Sequence, residues 1–260
     1  MLNIIPVPAF KDNYLWLLHD RQHAVVVDPG DAAPVLAYLD EHALKLAAIL
    51  CTHHHSDHVG GICELVQVYN VPVYAPLHED IPCRTHALQE GDVVKIKELG
   101  LTFDVLDIPG HTRGHIAFVL HGDEPAGVFC GDTLFGCGCG RLFEGTPAQL
   151  HRSLQRLAHL PDDMPVYCTH EYTEANIRFA LACEPNNVQL QQRQADARAL
   201  RAAGIPTLPS TIALEKATNP FLRCATPDII NSVQTHQQGG LAASDEVAVF
   251  TALRAWRNTF

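Results

Sequence analysis

Short apolar runs that stop on glycine, proline, aspartate or histidine constrain the fold of this chain most. Ala24–Val27 stops at Asp28-Pro29-Gly30, and Ala47–Cys51 stops at Thr52. The same form recurs in Val71–Tyr74, in Phe103–Ile108 before Pro109-Gly110, in Gly127–Cys130 before Gly131-Asp132, and in Val166–Cys168 before Thr169-His170. Runs this short and this rich in β-branched residues predict buried strands. Helical spacing lies between several of them. Asp31–His42 opens with aspartate and carries an early proline, as helix N-termini do. Gly61–Tyr69 and Pro147–Leu160 place apolar residues three and four apart. Strands interleaved with helices predict an α/β layered architecture whose sheet faces are both covered.

Beyond about residue 171 the texture changes. Glu174–Ala182 and Val188–Ala203 are helix-like and rich in Ala, Leu, Gln and Arg. Asp245–Arg257 is expected to close the chain as another helix, with Ser244 as its cap. Pro206, Pro209, Pro220 and Pro227 punctuate the loops between them. The expected organisation is a catalytic unit over residues 1–170 and a smaller, mostly helical unit over 171–260. A chain of 260 residues, 47% hydrophobic, has enough apolar material for one substantial core plus such an appendage.

Charge and cysteine usage narrow the partners. Lys and Arg number 18 against 29 Asp and Glu, a net charge of −11. That balance disfavours nucleic acid and anionic membrane, while leaving room for a local basic pocket that takes a small anion. No apolar run approaches the ~20 residues of a membrane span, and the opening MLNIIPVPAF lacks a basic leader region. The 9 cysteines form no CxxC pair and sit beside apolar residues, as in Ile49-Leu50-Cys51 and Tyr167-Cys168. They are expected to be reduced core or near-site residues of a cytoplasmic protein.

The chemistry concentrates in Thr52-His53-His54-His55-Ser56-Asp57-His58-Val59-Gly60-Gly61, between an apolar run and a helix. In an extended segment residues two apart share a side, so His53, His55 and Asp57 can point together, with His58 at the turn into the helix. His nitrogen and Asp oxygen are donors that zinc accepts. A single tetrahedral site with a water needs three of them, so four suggest two metals. His111, Asp132 and His170 each follow another strand end, and open α/β sheets build sites beyond the carboxyl ends of their strands. His53, His55 and His111 would serve one metal and Asp57, His58 and His170 the other, with Asp132 bridging through its two oxygens. A hydroxide would complete both shells at the ~3.5–4 Å spacing of a two-metal site. His54 and Ser56 are expected to point away, and His115 to lie behind the donors or in the core. Asp28 either orients a ligand histidine through its second nitrogen or is a plain turn residue. Taken singly, His111 or His170 would be a structural histidine and Asp132 a turn residue; a surface metal-sticking tract is the alternative for the His-rich run.

These residues resemble a known family. Thr-His-x-His-x-Asp-His, with Pro109-Gly110-His111-Thr112, Gly131-Asp132-Thr133 and His170, resembles the metallo-β-lactamase superfamily. Asp12-Asn13-Tyr14, Val27-Asp28-Pro29-Gly30, Asp132-Thr133-Leu134-Phe135, residues 138–146, His170-Glu171-Tyr172-Thr173 and Asn219-Pro220-Phe221-Leu222-Arg223 resemble the hydroxyacylglutathione hydrolases, or glyoxalase II enzymes. The resemblance spans essentially the whole chain. It implies an αββα sandwich with a helical C-terminal domain, and hydrolysis of S-D-lactoylglutathione to glutathione and D-lactate, the second step of methylglyoxal detoxification. It implies two zinc ions per chain, with iron or manganese possible in either position. Asp57 and Asp132 are expected to be the catalytic residues and the protein a monomer, although the sequence leaves the oligomeric state open.

The resemblance also implies substrate contacts. Arg141 and Tyr172 would touch the peptide near the metals, and Arg254 and Arg257 would hold the glycine carboxylate. The last two sit three apart and can share a helix face; without the resemblance they read as a solvated charged face. Phe143 stands where some members carry tyrosine, so its ring contact survives and the hydroxyl bond does not. A thiolate with a thiol pKa near ~8.5 leaves without a strong acid. Cys137 and Cys139 have no recognisable His partner and read as loop residues rather than nucleophiles. Persulfide dioxygenases share the fold and much of the first motif but use one metal; the full donor set and the helical C-terminus argue against them. A non-catalytic metal- or glutathione-binding module would need a damaged donor set. Nucleic-acid processing lacks the basic run it requires.

Overall fold

A computed structural model describes residues 2–122, 126–237 and 245–260. The apolar runs become two six-stranded sheets. The first, in spatial order, holds β1 (Asn3–Ala9), β2 (Asn13–His19), β3 (His23–Val27), β4 (Lys45–Leu50), β5 (Val73–Pro76) and β6 (His86–Leu88). Chain order β7 (Val93–Ile96), β8 (Leu101–Asp107), β9 (Ile116–His121), β10 (Gly127–Gly131), β13 (Pro165–Cys168) and β14 (Ser210–Thr211) gives the second, and β11 (Leu134–Phe135) with β12 (Gly138–Cys139) forms a separate ribbon. The helices are α1 (Ala32–Glu41), α2 (Ser56–Val59), α3 (Ile62–Tyr69), α4 (Pro147–Ala158), α5 (Thr173–Cys183), α6 (Val188–Ala202), α7 (Ile212–Thr218), α8 (Pro227–His236) and α9 (Glu246–Thr259). The result is the αββα sandwich with a helical C-terminal part.

Strand β2 explains the layering. All of its residues are buried, so both faces need cover. Tyr14, Trp16 and Leu18 join the core between the sheets, with Val25, Val27, Phe103, Phe118 and Phe129. Leu15 and Leu17 face the other way, into a cluster with Val35 and Leu39 of α1 and Ile62 and Leu65 of α3. The period-2 alternation of a strand thus feeds two cores at once. The prolines Pro6 and Pro8 hide β1 from a sequence reading, and an edge strand tolerates them.

Strand direction places the site. β3, β4 and β5 run parallel, as do β10 and β13. β9 pairs antiparallel with both β8 and β10, so β8 and β10 end on the edge where β9 begins. The two sheets meet at that edge. Trp16 Nε1 donates to the Cys168 carbonyl at 2.9 Å, Tyr14 N–H to the Thr169 carbonyl at 2.7 Å, and Ile116 N–H to the Thr52 carbonyl at 3.0 Å.

Two expectations change. Cys63 of α3 and Cys83, expected to be reduced, form a disulfide with their Cα atoms 5.7 Å apart. Their separation of 20 residues gave no signal; α3 and the segment after β5 bring them together. The free cysteines Cys51, Cys130, Cys137, Cys139, Cys168, Cys183 and Cys224 are all buried, as expected. Ser244 lies outside the described residues, and the cap of α9 is Asp245, whose side chain accepts from the Val247 and Ala248 N–H groups. Among the described residues no helix is long and apolar enough to cross a membrane.

The bond from Trp16 should carry measurable stability. Trp16→Phe keeps most of the packing and leaves the buried Cys168 carbonyl without its donor, at a cost of about 1–3 kcal/mol. Trp16→Ala should cost about 3–5 kcal/mol. Urea unfolding checks both; equal, near-zero losses would remove Trp16 as a tie between the sheets.

Candidate metal centre

Each donor group leaves the end of a strand. The segment after β4 supplies His53, His55, Asp57 and His58; β8 leads to His111, β10 to Asp132 and β13 to His170. The backbone turns sharply at Gly131, φ 48°, where a Cβ would strike Thr52 Oγ1 and the His115 ring. The extended segment ends at His55, because α2 begins at Ser56. Asp57 is therefore helical and does not share a strand face with His53 and His55, as the spacing alone predicts. It still lies with His58 and His170, the set expected for it.

The donors form three overlapping sets, His53–His55–His111, His53–His58–Asp132 and Asp57–His58–His170, and within each set the donor atoms lie within 4.8 Å of one another. His55 Nδ1 is 3.1 Å from His53 Nε2 and 3.0 Å from His111 Nε2. Asp132 reaches both sides. Its Oδ2 lies 3.4 Å from His111 Nε2, and its Oδ1 lies 3.4 Å from both His58 Nε2 and His170 Nε2. All seven candidate donors converge.

The outward ring nitrogens explain why the inward ones are aimed. His53 Nδ1 meets Thr52 Oγ1 at 3.1 Å, His111 Nδ1 meets the Arg141 carbonyl at 2.9 Å, and His170 Nδ1 meets Asp12 Oδ1 at 2.8 Å. His58 Nδ1 faces Asp28 Oδ2 at 3.1 Å, and Asp28 also accepts from Thr52 N–H at 2.7 Å and Thr52 Oγ1 at 2.8 Å. Hydrogen bonds behind His53, His111 and His170 fix the N–H outward and leave a lone pair facing in, while His58 Nδ1 meets Asp28 as a charge contact outside hydrogen-bond geometry. Asp28 therefore takes the orienting position rather than that of a plain turn residue. His115 lies behind the donors, stacked on His53 with centroids 4.5 Å apart and accepting from Asp132 N–H at 3.1 Å. His54 turns away onto Glu79.

The electrostatics call for cations. Burial pushes the Asp132 carboxyl up, but His58 and His170 outweigh it and hold it well below the usual carboxylate range. Asp57 is held low in the same way, burial being outweighed by His170 and His58. Burial pulls His58 and His170 down, yet the carboxylates win, raising His58 well above its usual value and His170 to about 10. His53, His55 and His111 are pushed low, chiefly by burial, and so keep the neutral form that binds metal. His58 Nε2 and Asp132 Oδ1 are buried with no hydrogen-bond partner among the described residues. Orphaned buried donor atoms in a nitrogen- and oxygen-rich cluster fit a bound divalent metal.

A cavity of about 520 Å³ leads from His111 and Asp132 to Arg141, Phe143, Tyr172, Arg254 and Arg257. Arg254 is no solvated face. It is 5% exposed, and donates to the Cys139 carbonyl at 3.1 Å. Burial and then the like charges of Arg254, Arg141 and Arg178 push Arg257 down, so positive charge gathers around it. Phe143 is exposed, with its ring edge-on to His55 and His111 at 5.3 Å. Sequence reasoning missed Asn176, which lines the cavity, donates to the Gly136 carbonyl and accepts from Arg257. An asparagine inside a helical run was its one signal.

Fold and donor set together define a member of the metallo-β-lactamase superfamily. The Metallo-beta-lactamase superfamily model matches residues 11–170, and the Hydroxyacylglutathione hydrolase C-terminus model matches 171–260. The hydroxyacylglutathione hydrolase of Nitrosomonas eutropha is 54% identical over 260 residues, covering all of both chains. That of Methylobacillus flagellatus is also 54% identical over 260 residues, again covering all of both. Among solved structures, ETHE1 from Myxococcus xanthus has a TM-score of 0.64 at 26% identity, over 98% of this chain and 99% of its own. TTHA1623 in a di-iron-bound form has a TM-score of 0.59 at 30% identity, over 84% of this chain and 100% of its own. The chain belongs to the hydroxyacylglutathione hydrolase family.

Removing Asp57 should leave the His53–His55–His111 set intact. After metal loading, Asp57→Ala should hold about one ion per chain fewer than the unaltered protein, which is expected to hold about two, and lose most of its activity. Elemental analysis checks this; two retained ions would take Asp57 out of the second set.

Proposed function

We propose that the cavity takes a glutathione thioester with its acyl end at the His/Asp cluster and its glycine carboxylate at Arg254 and Arg257. The chain is a thiolester hydrolase that converts S-D-lactoylglutathione to glutathione and D-lactate. The observation that supports this substrate orientation is a single cavity lined both by His111 and Asp132 of the donor cluster and by the anion-attracting Arg254 and Arg257.

Two divalent ions, held by His53, His55 and His111 and by Asp57, His58 and His170 with Asp132 shared, would supply Lewis acidity and an acidified water with a pKa near ~7. We propose zinc in both positions, since imidazole and carboxylate donors suit it; iron or manganese accepts the same donors. Around the reacting carbonyl the chain orients rather than titrates. Thr52, the Arg141 carbonyl and Asp12 hold the rings of His53, His111 and His170 from behind, and Asp28 places its charge 3.1 Å from the outward nitrogen of His58. Asn13 Nδ2 donates to Asp57 Oδ2 at 3.0 Å and fixes that carboxylate. Tyr172 stacks on His170 with ring centroids 4.7 Å apart and walls the cavity beside it. Burial, then the negative charges of Asp12, Asp132 and Asp57, raise its phenol well above its usual value, so it serves as a neutral hydrogen-bond donor. The departing thiolate, from a thiol of pKa near ~8.5, needs no protonation as it leaves. The cationic end holds the peptide against the net charge of −11 elsewhere.

The donor set and the cavity's arginines are complete within a single chain, so a monomer would suffice for the proposed reaction. The buried free thiols suit a reducing, cytoplasmic setting, in which the exposed Cys83 end of the disulfide is open to reduction.

Arg254→Ala combined with Arg257→Ala should raise KM for S-D-lactoylglutathione by about 10–100-fold, as loss of charge-assisted bonds does, with a smaller change in kcat. Hydrolysis of a glutathione-free thioester should change little. Parallel steady-state assays check this, and an unchanged KM for the glutathione substrate would take the last helix out of substrate binding.

A further inference from the structure

His54, the histidine of the first motif that is not a candidate donor, leads to a residue no motif covers. Glu79 lies in the segment after β5, and its side chain is 2% exposed. Its carboxylate accepts from His54 N–H at 2.6 Å, from His54 Nδ1 at 2.8 Å, from Gly114 N–H at 3.0 Å and from the Thr112 hydroxyl. An ionised carboxylate offers about four lone-pair sites, so this one is fully used.

Those donors come from two loops. One carries His53 and His55 on either side of His54; the other carries His111 beside Thr112. Together they supply the whole first set. None of the four bonds goes to Asp57, His58 or His170. The support under Glu79 is also tied down. Arg84 donates to the Glu79 carbonyl at 2.7 Å, and the neighbouring Cys83 is bonded to Cys63 of α3. On the far side of the His54 ring, Nε2 lies 3.2 Å from Glu144 Oε1, and Glu144 in turn accepts from Arg113 N–H at 3.1 Å.

We propose that Glu79 is a positioning residue for the first metal: it clamps the His53–His55 loop to the His111 loop at the separation where their inward nitrogens meet. This rests on the two-metal reading above. A carboxylate is needed because the clamp is made wholly of donors. Glu79→Gln would turn an amide NH2 toward at least one of them and leave it unpaired in the interior.

The test is metal retention. Zinc-loaded unaltered protein and Glu79→Gln are titrated with a chelator while bound zinc per chain is measured, and the cobalt-substituted forms are compared by visible absorption. The variant should release one of its two ions at about 10–100-fold lower chelator strength, the size of effect that groups behind metal ligands exert, and hold the other as before. Its cobalt spectrum should change, and kcat should fall more than KM rises. Should Glu79→Gln fail to fold, Thr112→Val and His54→Phe each remove donors to Glu79 and should give the same one-sided loosening to a smaller degree. Two ions held as tightly as in the unaltered protein would overturn the role. So would equal weakening of both with a lowered unfolding midpoint, which is the behaviour of a general stabiliser. If the unaltered protein itself holds fewer than two ions, the two-metal reading falls first and this role falls with it.

Discussion

The structure depends on a buried carboxylate that has no neutral solution. Asp132 is 7% exposed, one of its oxygens has no hydrogen-bond partner among the described residues, and three imidazoles face it. An ionised carboxylate inside a protein costs several kcal/mol unless positive charge meets it. Positive charge on the facing imidazoles would offset it in part; divalent cations would meet it better, because they also draw in the neutral nitrogens of His53, His55 and His111. Everything around the cluster follows from holding those nitrogens inward, so each outward ring nitrogen that is fixed has an oxygen behind it.

The two parts of the chain complete one cavity. A buried pair in the helical part, Arg193 with Glu215, reaches back to the substrate side: Glu215 accepts from the Cys137 N–H at 2.8 Å, and Asn219 donates to the Gly138 carbonyl at 2.9 Å. Those bonds fix the ribbon whose Cys139 carbonyl holds Arg254. Arg254, on the last helix, is therefore positioned by the β11–β12 ribbon. Removing one partner of such a buried pair leaves the other charged and unpaired, so this network is sensitive to single substitutions.

Much of this is legible in the residues alone, for physical reasons. Strands buried on both faces leave unbroken apolar runs, and their ends announce where a site can form, which is why His111, Asp132 and His170 stand out only in company with the His53–His58 run. What stays hidden depends on contacts between distant segments. Glu79 sits in no motif, and its role exists only where three loops meet. Asp57 keeps its expected partners His58 and His170, but it reaches them from α2 rather than from the strand face of His53 and His55. Cys63 and Cys83 carry no spacing signal, and the prolines of β1 disguise an edge strand. The alternatives for Asp28 and Arg254 are separated by burial and partners, which no sequence displays.

The most direct measurement is a crystal structure of the metal-loaded protein with anomalous diffraction collected at the metal absorption edge. Two anomalous peaks per chain are expected, ~3.5–4 Å apart, one among His53, His55 and His111 and one among Asp57, His58 and His170, with an Asp132 oxygen reaching each. One peak, or two peaks that do not share Asp132, would contradict the two-metal account.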